Sequence, residues 1–156
     1  MAEVQTRWSL VAAFFGSSFI LHLVWESAQM PLFETGDLSA WEVFRMCLFA
    51  TATGDMVFMA ILYAVAALAV RDWKWLQNEA SYKHPATWVL PSIFGVLLAI
   101  SFELWAIHAV ERWEYDGMPL VPFLHVGLTP VLQMALIPFA VTWLSRMYLN
   151  RKRVSS

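Results

Sequence analysis

Three polar side chains interrupt an apolar run near the start of the chain: His22, Glu26 and Gln29, in His22-Leu23-Val24-Trp25-Glu26-Ser27-Ala28-Gln29. Positions i, i+4 and i+7 fall on one stripe of an α-helix. Upstream, Leu10 to Leu21 carries no charge. The stripe is therefore set in a segment suited to a membrane, where an ionisable group is costly and its default reading is functional. A carboxylic acid one turn from an imidazole is a pairing that can deliver and remove protons. A low-dielectric surrounding favours the neutral form of a carboxyl group and so lets it act as an acid near neutral pH.

Each later apolar segment brings polar groups to a similar depth. At 1.5 Å per helical residue, Glu26 and His22 lie roughly 6 and 12 Å from one end of the first segment. Asp55, with Thr51 one turn before it, lies roughly 18 Å in on the second, and Glu103 roughly 10 Å in on the third. His125, Thr129 and Gln133, spaced by four, make a stripe on the fourth at roughly 7, 13 and 19 Å. The other halves of the segments (10–19, 61–70, 94–100 and 136–141) are almost purely apolar. Gly54 beside Asp55, and Gly127-Leu128-Thr129-Pro130, predict irregular backbone where a cavity is lined. Four helices presenting acids, imidazoles and amides at overlapping depth predict a polar pocket in one half of a helix bundle. Each group also has a structural alternative. His22 and Glu26 can tie helices together as an interhelical polar pair. His125 can be an interface histidine, and Gln133 can back up the Pro130 break. Trp25, Trp41, Trp105 and Trp113 can be membrane-belt anchors. Glu111, Arg112 and His84 read as solvated loop residues.

The elements that must position these groups are read from composition and length. Of 156 residues, 60% are hydrophobic and 14% charged, outside the soluble range of roughly 45–50% and 25%. The reading is an all-α, polytopic membrane protein: a four-transmembrane-helix bundle forming one domain over 1–156. Its helices are expected at about 9–30, 43–70, 86–110 and 120–149, with a short surface helix around 73–80. Pro31 stops the first helix. That helix is expected to be retained rather than cleaved as a signal peptide, because His22 and Glu26 lie within it.

Arg7, then Arg71, Lys74 and Lys83, then Arg146, Arg151, Lys152 and Arg153 cluster on one side of the expected bundle. Glu34, Asp37, Glu111, Glu114 and Asp116 lie on the other, with Arg45 and Arg112 as exceptions. The positive-inside rule then puts both termini in the cytoplasm and the pocket in the outer half, with a bacterial inner membrane as the simplest setting. A net charge of −2 argues against a nucleic-acid partner. One cysteine, Cys47, excludes an internal disulfide and reads as a packing residue.

The chemistry expected is acid–base catalysis on a lipophilic, isoprenoid or sterol-like substrate. His22, Glu26, Asp55 and Glu103 are the candidate catalytic groups. Trp25, Gln29, Trp105, Trp113, Tyr115, His125, Thr129 and Gln133 are the candidate substrate contacts, the aromatic ones able to shield a carbocation. No metal or cofactor is expected. The alternatives are a single metal ion on His22, Glu26 and His125, or an accessory role in a homo-oligomer or a larger membrane complex.

His22-Leu23-Val24-Trp25-Glu26 in an apolar helix, followed by three more, resembles the emopamil-binding protein and sterol isomerase group, the EXPERA domain. That group carries a His-x-x-x-Glu pair on one helix, a further acid on the next, and an amide before a proline on the last. Here those places fall to His22 and Glu26, to Asp55, and to Gln133 with Pro138. The resemblance implies a four-helix core, binding of sterol-like or cationic amphiphilic ligands and, in some members, double-bond isomerisation.

Overall fold

A computed structural model describes residues 2–154, with side chains from Trp8 to Lys152. The side chains of Arg7 and Arg153, used for the charge asymmetry, lie outside the described residues. Four helices are long and apolar enough to cross a membrane, at Trp8–Leu32, Ala40–Val70, Ala86–His108 and Leu128–Lys152. The chain is an all-α, polytopic four-helix bundle. Both described chain ends and residues 71–85 lie at one end, here the terminus end. Residues 31–39 and 109–127 form the other, the loop end.

Helix α1 (Ala2–Gln29) buries Leu10, Phe14, Ser18 and His22 at steps of four, and then Gln29. The polar stripe thus continues the stripe that packs the helix into the bundle. A 3-10 turn at Met30–Leu32 ends the span at Pro31, which has no N–H to continue the helix. Ser39 and Glu42 then form a reciprocal capping box, with Ser39 N–H donating to Glu42 Oε2 at 2.9 Å. The cap starts α2 (Ala40–Ala50) three residues before the expected Val43. The Ser-x-x-Glu signal for this was present in the sequence.

The second span is one helix with an interruption. After α2, a π-turn at Thr51–Asp55 leads into α3 (Met56–Val70). Helix α3 packs along the third span, whereas α2 packs chiefly against α1. At the terminus end, residues 71–85 depart from the expected surface helix. They make a 3-10 turn at Trp75–Gln77 and the short α4 (Glu79–Lys83), and Trp75, Leu76 and Tyr82 are at most 2% exposed. The Tyr82 hydroxyl donates to the Leu76 carbonyl at 3.0 Å, and Trp88 Nε1 to the Tyr82 carbonyl at 2.9 Å. Trp75 meets Phe14 edge-on at 5.8 Å. These rings belong to the main apolar core with Leu10, Met59, Leu62, Ala66 and Val141, so the core fills and seals the terminus end.

Helix α5 (Ala86–His108) runs against α6 (Leu128–Val154). Pro138, inside α6, has no N–H for the Met134 carbonyl. That carbonyl faces Gly95 of α5, where a Cβ would sit well inside van der Waals distance of its oxygen, with Leu62 Cδ1 3.3 Å away. Glycine is required here by the close approach of two backbones.

The fourth helix starts at Leu128, which corrects the expected Leu120. Residues 119–127 form a loop instead. Phe123 and His125 have φ of 68° and 54°, and Leu128 N–H donates to the Pro119 carbonyl at 2.7 Å. Pro130 lies in the first turn of α6, where its missing N–H would be unpaired anyway. It therefore does not break a helix. The irregular backbone belongs to the second span, at Thr51–Asp55.

Candidate functional site

In the half of the bundle toward the loop end, the helices part around a cavity of about 500 Å³. Glu26 and Gln29 reach it from α1, Asp55 and Gly54 from the π-turn, Glu103 and Phe102 from α5, and Gln133 from α6. The rest of the wall is mainly apolar, including Met46, Cys47, Phe49, Phe58 and Met134.

Backbone stitching covers the loop end. Glu34 N–H donates to the Glu114 carbonyl at 3.0 Å, and Asp116 N–H to the Leu32 carbonyl at 2.9 Å. These bonds flank an isolated antiparallel bridge between Phe33 and Tyr115. Phe33 also meets the Trp113 ring edge-on at 6.1 Å. Phe33 and Trp113 consequently form part of the cavity wall.

A relay of amides links the polar groups. Gln29 Nε2 donates to Glu26 Oε1 at 3.0 Å and, more weakly, to Gln133 Oε1 at 3.5 Å. Gln133 Nε2 lies 2.8 Å from His22 Nδ1. With the Gln133 oxygen accepting from Gln29, its amino group is the donor to His22. Nδ1 is then an acceptor and the imidazole proton resides on Nε2. His22 is fully buried and stands behind the wall, with Asp55 Oδ2 3.6 Å from Nδ1. The π-turn faces α1 at this height, and π-turns inside helices recur at functional sites.

Glu103 is held differently. Its Oε2 accepts from the Tyr115 hydroxyl, and that hydroxyl oxygen accepts from Gly127 N–H at 2.7 Å. Burial, and next the neighbouring Glu103, push the Tyr115 phenol above the usual tyrosine range. Arg112 is the basic side chain of the described lining. It is exposed at the rim with its guanidinium 5.4 Å from the Trp113 ring centre.

The structure thus gathers Glu26, Gln29, Asp55, Glu103, Trp113 and Gln133 around one cavity, with His22 and Tyr115 bonded just behind it. Four expected contacts are elsewhere. His125 is exposed in the loop before α6, because the stripe it was assigned to is not helical at that point. Thr129 donates to Met118 Sδ at 3.1 Å. Trp105 is 46% exposed on the outer surface of α5, and Trp25 packs against the apolar core. Among the described residues no three His, Cys, Asp or Glu side chains converge as a metal-binding set. His125 in particular does not join His22 and Glu26. Among the wall residues missed from the sequence are Phe33, Met46, Phe49, Phe58 and Phe102, together with Arg112, which reads from the sequence as a solvated loop charge. No polar periodicity marks the apolar five.

No protein-family model, curated protein or solved structure matches this chain.

Proposed function

We propose that this integral membrane protein binds a lipophilic, isoprenoid or sterol-like substrate in the pocket and moves a double bond by acid–base chemistry. The observation that carries this reading is the convergence of Glu26, Asp55 and Glu103 on one largely apolar cavity of about 500 Å³, a volume within the usual range for small-molecule sites. One of Glu26 and Asp55, as the acid, protonates an alkene carbon. The other, as a carboxylate, removes a proton from the carbon on the far side of the cation, so the net change is a shifted double bond. The π-faces of Phe58, Phe102 and Trp113 suit the transient positive charge. His22 is a positioning residue that acts through Gln133 and Asp55. Glu103, already engaged by Tyr115, holds the loop wall.

We place the protein in a bacterial inner membrane with both termini cytoplasmic and the loop end outside, on the distribution of lysine and arginine. The resemblance to the EXPERA group, with His22, Glu26, Asp55 and Gln133 in the matching places, supports the lipophile-binding and double-bond-shift reading instead.

The test is native mass spectrometry with elemental analysis on protein purified in mild detergent, followed by incubation of the copurified lipophile in D2O. Wild type should carry a lipid-sized mass and incorporate deuterium into it. Glu26→Gln and Asp55→Asn should each slow incorporation by roughly 10²–10⁴-fold, the usual contribution of a general acid or base. Stoichiometric metal, or full exchange in both variants, would sink the proposal.

A further inference from the structure

The pocket has two properties that together narrow what it takes. Its polar end presents hydrogen-bond acceptors that nothing in the protein uses. Gln29 is 5% exposed and its amino group is engaged by Glu26 and Gln133, yet its Oε1 has no partner. Asp55 Oδ2 is likewise buried without a hydrogen-bond donor, since His22 Nδ1, 3.6 Å away, is itself an acceptor. Buried polar atoms left unpaired are costly, so a ligand that satisfies them is favoured. A hydroxyl group has a hydrogen to donate and matches this set. An ether or ester has no hydrogen to give Gln29 or Asp55.

The second property is where the wall is open. The loop end is bridged by backbone bonds and edged by the polar Glu34, Thr35 and Arg112, and the terminus end is filled by the apolar core. Met46 and Phe49 of α2 line the cavity and are also 50% and 63% exposed on the outside of the bundle. This follows from the packing of the second span, where α3 lies along α5 but α2 leans on α1. Beside them, a Cβ at Gly54 would meet no atom within 4 Å. The side between α2 and α5 is therefore an apolar gap at the level of the lipid chains.

We infer that the ligand is a chain-like alcohol taken from the surrounding leaflet, its hydroxyl end between Gln29 and Asp55 and its apolar chain leaving sideways between α2 and α5. This rests on the pocket being a lipophile site, but not on the reaction assigned to it. A rigid, compact ligand would leave the gap unused. A linear chain longer than the cavity has this one apolar way out.

The probe is hexadecanol carrying a diazirine near the middle of its chain, added to wild-type protein in phosphatidylcholine nanodiscs and cross-linked by light. Saturable labelling should map to Met46, Phe49 or Phe102. Unlabelled hexadecanol should compete roughly tenfold better than hexadecyl methyl ether, the difference expected for about one hydrogen bond. Gly54→Leu, which fills the gap from a position with open space, should abolish labelling while leaving the melting temperature near that of wild type. Labelling confined to residues 31–35 or 109–116 overturns the sideways path. Equal competition by the ether overturns the hydroxyl end. Undiminished labelling of Gly54→Leu, or no saturable labelling of wild type, overturns the inference as a whole. Specific labelling without deuterium exchange would leave this inference standing and remove the acid–base reaction, and exchange without labelling would do the reverse.

Discussion

Glu26 and Glu103 are the same residue type on the same cavity, and their partners set them apart. Glu26 is contacted by side-chain amides, from Gln29 and Gln133, and its carboxyl faces the cavity. Glu103 is tied to Tyr115, and through it to the backbone of Gly127. Replacing Tyr115 by Phe removes both bonds, and a Gly127 N–H without its acceptor costs about 1–3 kcal/mol if it stays dry. The Tyr115 phenol is raised in the folded protein. The stability it contributes is therefore fully present below the unfolded tyrosine pKa of about 10 and is lost as pH climbs from there through the folded value. Absorbance titration at alkaline pH should show a late-ionising phenol in wild type that Tyr115→Phe lacks. Identical late fractions in the two proteins would refute the assignment. From the sequence, Tyr115 was an aromatic contact for a cation. Its role as a hydrogen-bonded post depends on a loop path that no periodicity encodes.

At the scale of the elements, two glycines make opposite predictions. Gly95 faces the Met134 carbonyl that Pro138 leaves without a helical partner. Gly95→Ala should therefore force α5 and α6 apart and destabilise the bundle by about 1–3 kcal/mol, as over-packing usually does. Gly54 faces open space, and alanine is the better helix former, so Gly54→Ala should unfold no earlier than wild type. Reversible unfolding of both variants in one detergent checks the pair, and equal midpoints would contradict the close contact. Helix positions in the spans were readable because hydrophobicity and caps act locally. The start of α6 was misplaced by eight residues from the expected 120 to 128, because a largely exposed but apolar loop reads like a helix by composition. Two backbone turns of positive φ at Phe123 and His125, residues without a glycine's signature, decide the matter.

The whole molecule divides its length between a packed half and a hollow half. Aromatic packing around Trp75 closes the terminus end, and the polar groups ring a cavity toward the other. A dry apolar half raises a high barrier to ions and protons, which suits a binding site better than a conduction path. If both termini are cytoplasmic, single cysteines at Asp37 and Lys83, in a Cys47→Ser background, should label from opposite faces of sealed cells with a membrane-impermeant maleimide. Asp37→Cys should react from outside, and Lys83→Cys only after lysis. The reverse pattern would invert the orientation and move the pocket to the cytoplasmic leaflet.

What the sequence by itself determined is one-dimensional: four spans, their apolar and polar halves, and the stripe of His22, Glu26 and Gln29 on the buried face of α1. Hydrophobic periodicity and the cost of charge in a bilayer act on each helix alone, so they can be read without knowing its neighbours. Only the tertiary structure decided which polar groups share a cavity. It also decided that α2 parts from α5 to open that cavity sideways, and that His125 and Trp105 face away from it. Those outcomes depend on the rotation of each helix against the next, and on small contacts such as Gly95 with Met134. Such contacts are made between residues far apart in the chain and leave no local signature.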